Sequence, residues 1–142
     1  MVSTADFSIA ERLQGVIATQ YGGEQPVGTC LLVETDHAEV DLLAYCPTMR
    51  VPCDVSDTYN AYLAFRAALW IIQKDRPDVK SIVSSALCTG AGQMSPTQSA
   101  QQVSSRSTLI PKSYLTLVLM TAVFTQLPAW LWVSVDCIAT SF

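Results

Sequence analysis

Two glycines one residue apart, in Thr89-Gly90-Ala91-Gly92-Gln93-Met94, are the residues whose spacing points most directly to chemistry. Glycine removes the Cβ that would keep a ligand off the backbone. Successive N–H groups in such a turn converge into a concavity suited to phosphate or diphosphate. A helix starting just after the turn adds partial positive charge at its N-terminus. The loop has neither the lysine of a Walker loop nor the full G-x-G-x-x-G spacing with a later acidic ribose partner. The residues alone therefore leave two readings open: an anion site, and a plain glycine-rich turn between strand and helix.

The other reactive side chains are more isolated. His37 stands in a polar turn with no nucleophile or carboxylate arrangement beside it, and reads as a surface histidine. Cys88 adjoins the loop, where a helix dipole can activate a thiol, but no partner histidine accompanies it. Arg50 either binds an anion or pairs with Asp54 or Asp57. Ser84-Ser85 has no nucleophile elbow around it and reads as packing. Tyr59, Tyr62 and Phe65 recur at three-residue steps and read as core. The five cysteines, at 30, 46, 53, 88 and 137, include no C-x-x-C pair. The pattern points to reduced thiols in the cytoplasm, without a metal site. The first fifteen residues have no basic stretch followed by an apolar core, so no signal peptide is expected.

Several elements must position these residues. Ile9, Leu13, Val16 and Ile17 recur at helical spacing, so a helix is expected over 9–20. Ser8 and Glu11 have the form of a capping box, and Gly22-Gly23 supplies the stop. Thr29–Glu34 and Val40–Cys46 read as two buried strands joined by a short polar loop. Pro47 and Pro52 make the next stretch extended. A second helix is expected over 58–73, capped by Ser56 or Asp57, burying Ala61, Phe65, Ala68, Leu69 and Ile72. Ser81–Leu87 reads as a third strand. Ser95 and Pro96 then open a helix running to about residue 104. The order implies an α/β layer with helices on a small mixed sheet.

The 142 residues fit a single domain. The net charge of −4 offers no basic footprint for nucleic acid. Mean hydropathy is +0.31, which excludes a disordered chain. That average conceals an asymmetry: 19 of the 20 charged residues lie in 1–112, and 113–135 is a charge-free run of 23 residues. As a helix the run would rise about 34 Å, enough to cross a bilayer core. Trp130, Trp132 and Lys112 would sit at the interfaces. Gln126, Pro128 and the threonines interrupt it, so buried strands or sequence unrelated to the rest remain open. Residues 1–106 and 107–142 are thus expected to be a domain and a separate hydrophobic tail.

PVG at 26–28, AYCPTMRV at 44–51, Asp54-Val55-Ser56, Asn60-Ala61-Tyr62, Arg66-Ala67-Ala68-Leu69 and Thr89-Gly90-x-Gly92 with Met94 form a specific combination. Over about residues 7–103 it resembles the central and C-terminal part of a macro domain, of the stand-alone bacterial or phage-like kind. The resemblance implies a three-layer α/β/α fold that binds ADP-ribose or an ADP-ribosylated protein without a cofactor. Thr89, Gly90, Ala91, Gly92, Gln93 and Met94 would hold the distal ribose and phosphates, with Pro47, Thr48 and Arg50 near the same cleft. An ADP-ribosyl hydrolase, an ADP-ribose-1''-phosphate phosphatase-like enzyme and an inactive truncated or membrane-anchored product are the alternatives. The chain departs from the family by lacking an N-A-A-N loop and an early strand with an adenine-contacting Asp. Cys88 and Gln93 also stand where relatives tend to have glycine, and Ser84-Ser85-Ala86 replaces a more apolar, proline-containing approach. Losing one of two anion loops removes charge-assisted hydrogen bonds of about 1.5–3 kcal/mol each.

Overall fold

The computed structural model describes residues 4–36, 40–107, 116–119 and 137–140. His37 and most of the apolar run at 113–135 lie outside them. The architecture is mixed α/β, with three described helices and a five-stranded sheet. The elements are α1 (Thr4–Tyr21), β1 (Leu31–Glu34), β2 (Leu42–Tyr45), α2 (Asn60–Asp75), β3 (Ser81–Ser84), α3 (Pro96–Ser107), β4 (Thr116–Leu119) and β5 (Cys137–Thr140).

The helix α1 begins at Thr4, so Ser8 lies inside it and the expected capping box does not mark its start. Nothing in Ala5-Asp6-Phe7 stops a helix, and an acidic residue near a helix N-terminus is favourable. Its end is as expected: Gly22 and Gly23 adopt φ of 63° and 97°. The Gly23 N–H reaches back to the Ile17 carbonyl at 3.1 Å.

β1 and β2 form an antiparallel hairpin, with Leu31 opposite Tyr45 and Glu34 opposite Leu42. Alternation along these strands loads both faces. Val33 and Leu43 meet Leu13 of α1, while Leu42 and Ala44 join Phe65, Leu69 and Ile72 of α2 in the larger cluster. The three-strand expectation is corrected by the sheet order β1-β2-β5-β3-β4. β5 separates β2 from β3 and runs antiparallel to both, and β4 runs parallel to β3. A parallel neighbour requires a crossover, which α3 lies within. The described part of the C-terminal run thus contributes strand, and no helix among the described residues is long and apolar enough to cross a membrane.

The core of α2 matches its periodicity: Ala61, Phe65, Ala68, Leu69 and Ile72 are all buried, together with Ala64 and Ala67. Tyr59 departs from the core reading, being 72% exposed. Ser56 and Asp57 do not cap the helix; Tyr59 occupies that position without a side-chain bond. The preceding turn uses its polar side chains internally, since the Asp54 carboxylate accepts the Ser56 N–H at 2.9 Å. The Thr58 hydroxyl donates to the Val55 carbonyl at 2.7 Å. The open end of α2 is closed from a distance. Gln102 of α3 accepts the Tyr62 N–H at 3.1 Å and donates to the Thr58 carbonyl at 2.8 Å.

At the other end of α2, Arg76 clasps Asp78 through Nε at 3.0 Å and a terminal nitrogen at 2.8 Å. The hydrogen bond from Arg76 holds the Asp78 carboxyl below the usual aspartate range. A lowered folded-state value stabilises fully above the ordinary aspartate range and is lost as pH falls through it. Asp78→Asn is therefore expected to flatten the acid limb of a stability–pH profile without altering its neutral-to-basic side. Gln102→Ala is expected to cost about 1–2 kcal/mol in urea denaturation, because the half-buried Tyr62 N–H and Thr58 carbonyl both lose their partner. Gln101→Ala, on the exposed side of α3, serves as the control and should cost under about 0.5 kcal/mol.

Candidate functional site

The chain after β3 turns at Leu87-Cys88 and reaches α3 only at Pro96. Tight turning needs left-handed backbone somewhere. Two non-glycine residues supply it: Cys88 at φ 65° and Gln93 at φ 55°. A non-glycine residue there costs roughly 1–2 kcal/mol and persists only where its surroundings dictate the conformation.

Those surroundings are specific. The Met94 N–H donates to the Cys88 carbonyl and the Gln93 N–H to the Gly90 carbonyl, each at 3.0 Å. The Thr89 hydroxyl donates to the Ala86 carbonyl at 2.7 Å. The N–H groups of Gly90, Ala91 and Gly92 make no hydrogen bond to the backbone of a described residue. Gly90 and Ala91 are exposed.

Gly92 has a different role from the expected one. It is buried, and a Cβ there would lie 2.6 Å from the Cys88 carbonyl oxygen, 2.8 Å from Val55 Cγ2 and 3.0 Å from Met49 Cε. Its missing side chain admits the protein's own neighbours, not a ligand. The Val55 N–H also donates to the Gly92 carbonyl at 3.0 Å. The structure thus joins the loop at 46–59 to the glycine loop through this bond.

The individual residues take distinct places. Met94 is 1% exposed and its side chain belongs to the core. Pro47 and Thr48 are buried, and the Thr48 carbonyl accepts the Asn60 side-chain amide at 2.8 Å. Cys88 is buried at 6% exposure, which leaves its thiol little access for reaction. Ser84 is buried and donates to the Ser85 carbonyl at 2.9 Å. Ser95 caps α3 by accepting the Gln98 N–H at 3.2 Å, with Pro96 first in the helix.

Arg50 pairs with neither Asp54 nor Asp57. Its Nε lies 2.6 Å from Glu24 Oε1, with the two side chains 75% and 54% exposed. Asp54 is engaged instead by Ser56, whose hydrogen bonds hold its carboxyl below the usual range. An exposed pair such as Glu24–Arg50 contributes about 0–1 kcal/mol. Next to it, Gln25 is 6% exposed and its Nε2 donates to the Tyr45 carbonyl at 3.4 Å. Its Oε1 is buried without a partner, at a cost of about 1–3 kcal/mol. Sequence reasoning missed Glu24 and Gln25; pairing across the β1–β2 hairpin leaves no local signal.

Cys30, Cys46, Cys53 and Cys88 are thiols, and the described residues contain no cluster of three or more metal-ligand side chains. No protein-family model, curated protein or solved structure matches the chain.

Gly92→Ala is expected to destabilise by about 1–3 kcal/mol, since the contacting carbonyl is backbone. Gln93→Gly removes left-handed strain at an exposed position and is expected to raise stability by up to about 1 kcal/mol. Paired urea titrations check both; equal and small effects would show that the loop is looser than its contacts indicate.

Proposed function

We propose that the chain is a binding module for ADP-ribose or an ADP-ribosylated protein, with a three-layer α/β/α arrangement of macro type. The Thr89–Met94 loop receives the diphosphate, presenting the N–H groups of the exposed Gly90 and Ala91 beside the N-terminus of α3. The observation that carries this reading is the left-handed backbone at Cys88 and Gln93. These are the two positions at which macro-domain relatives tend to have glycine, the residue that adopts such a conformation most easily. A chain with other side chains there keeps the backbone course those glycines would allow. The apolar contacts of α1 and α2 on opposite faces of the β1–β2 hairpin support the layered arrangement.

Binding is favoured over hydrolysis. A hydrolase needs a base or acid within hydrogen-bond reach of the reacting group. The three atoms nearest to where a Cβ on Gly92 would sit belong to the Cys88 carbonyl, Val55 and Met49, and none of these is a proton donor or base. Calorimetry with ADP-ribose is expected to give saturable heat at ligand concentrations up to about 1 mM, which corresponds to roughly −4 kcal/mol. Ala91→Asp puts a carboxylate on the exposed loop and is expected to abolish that heat while leaving the melting temperature unchanged. Absence of heat with the unaltered chain refutes the proposal.

A further inference from the structure

We infer that Glu24 and Gln25 form a latch that occupies Arg50 with an internal carboxylate and releases it to an anionic ligand at the glycine loop. The inference rests on the diphosphate-binding reading above and adds the regulation of that site. Four observations meet at this corner. Gly22 and Gly23 precede it with left-handed backbone, and a Cβ at either would meet nothing within 4 Å, so the segment has both a pivot and room to turn. Glu24 grips Arg50 through a single guanidinium nitrogen, at 2.6 Å. Gln25 Oε1 is buried and unpartnered. Finally, Arg50 directly follows Met49, whose side chain packs where a Cβ on Gly92 would sit.

The balance of these terms makes the corner bistable. The closed state gains an exposed ion pair, which contributes little in water. It also keeps the Gln25 Nε2 hydrogen bond to the Tyr45 carbonyl at 3.4 Å, and against both it leaves an amide oxygen buried without a donor. Turning about Gly22-Gly23 gives up the ion pair and exposes Gln25 Oε1 to water. A phosphate is the natural competitor for Arg50, because the planar guanidinium fork matches its oxygens in a bidentate contact. While the latch is closed, the Glu24 carboxylate both shares the guanidinium and repels an incoming anion.

The test uses the full chain, with inorganic pyrophosphate and ADP-ribose as probes in calorimetry. Glu24→Gln is expected to bind both about three- to tenfold more tightly, and Arg50→Gln more weakly by a similar factor. The double variant should bind no more tightly than Arg50→Gln alone. A ligand-free readout accompanies these: the Glu24 N–H, which donates to the Tyr21 carbonyl at 3.4 Å, should exchange with solvent faster in Glu24→Gln, with α2 unchanged. If the unaltered chain binds and Glu24→Gln binds equally or more weakly, the latch is overturned. If no form binds either probe, the diphosphate reading fails and the inferred regulation with it, even where the Glu24 exchange rate rises. Unchanged exchange at Glu24 overturns the latch whatever the probes do.

Discussion

Between β2 and α2 the backbone runs through residues 46–59 without a strand or helix of its own. Its buried N–H and carbonyl groups still need partners. Some come from within the segment and from α2, as where Thr58 bonds Val55 and Asn60 bonds Thr48, and the rest from α3 and the turn before it. Gln98 donates to the Ser56 carbonyl at 2.6 Å, and Gln102 holds both the Thr58 carbonyl and the Tyr62 N–H. The Gly92 carbonyl accepts from Val55. Gln98 and Gln102 stand four residues apart, so they share one helix face. The segment packs against that face, and Gln102 reaches from it to the first turn of α2.

This interlock explains why the glycine loop is legible in composition and not in detail. A Gly-x-Gly turn suggests room for a ligand and freedom for positive φ. Gly92 provides neither, since its φ is not left-handed and its space is filled by Met49, Val55 and the Cys88 carbonyl. The unusual backbone angles fall on Cys88 and Gln93 instead. The hydrogen bonds at these two residues are local, closing Met94 onto Cys88 and Gln93 onto Gly90, but the Met49 and Val55 contacts that help exclude a Cβ from Gly92 join residues about forty apart in sequence. Single-sequence propensity has no access to such pairs.

Elements whose signal is periodic were read well. The buried stripe of α2, the hairpin β1–β2 and the Ser95-Pro96 opening of α3 all follow from local spacing and capping chemistry. Misreadings occur where propagation of an element past its expected start or a nonlocal partner decides. Ser8 and Glu11 resemble a capping box, yet helix propagation through Ala5–Phe7 overrides it. Asp54 spends its side chain on the turn at 54–58, while Thr58 accepts the Asn60 N–H at 3.3 Å and Gln102 the Tyr62 N–H at 3.1 Å, so the first turn of α2 is closed by residues other than Ser56 and Asp57. The placement of Cys137–Thr140 between β2 and β3 is a matter of sheet order, and a short apolar run carries no information about which strands it will join.

The electrostatics of the glycine loop follow from the same interlock. The chain carries 12 acidic and 8 basic residues, so its overall field does not attract anions. The basic side chain nearest the loop in sequence on the adjoining segment, Arg50, is occupied by Glu24. Under the proposed reading, an anion arriving at Gly90 and Ala91 while Arg50 is held by Glu24 would first meet backbone dipoles and the N-terminus of α3. Such dipoles are individually weak, and they act together only if they are already oriented when the ligand arrives, since ordering a loop on binding consumes affinity. The left-handed residues at either end and the closed packing at Gly92 supply that order in the free protein. The strain at Cys88 and Gln93 and the tightness at Gly92 are thus two sides of one arrangement: a turn whose backbone course is fixed by its own packing.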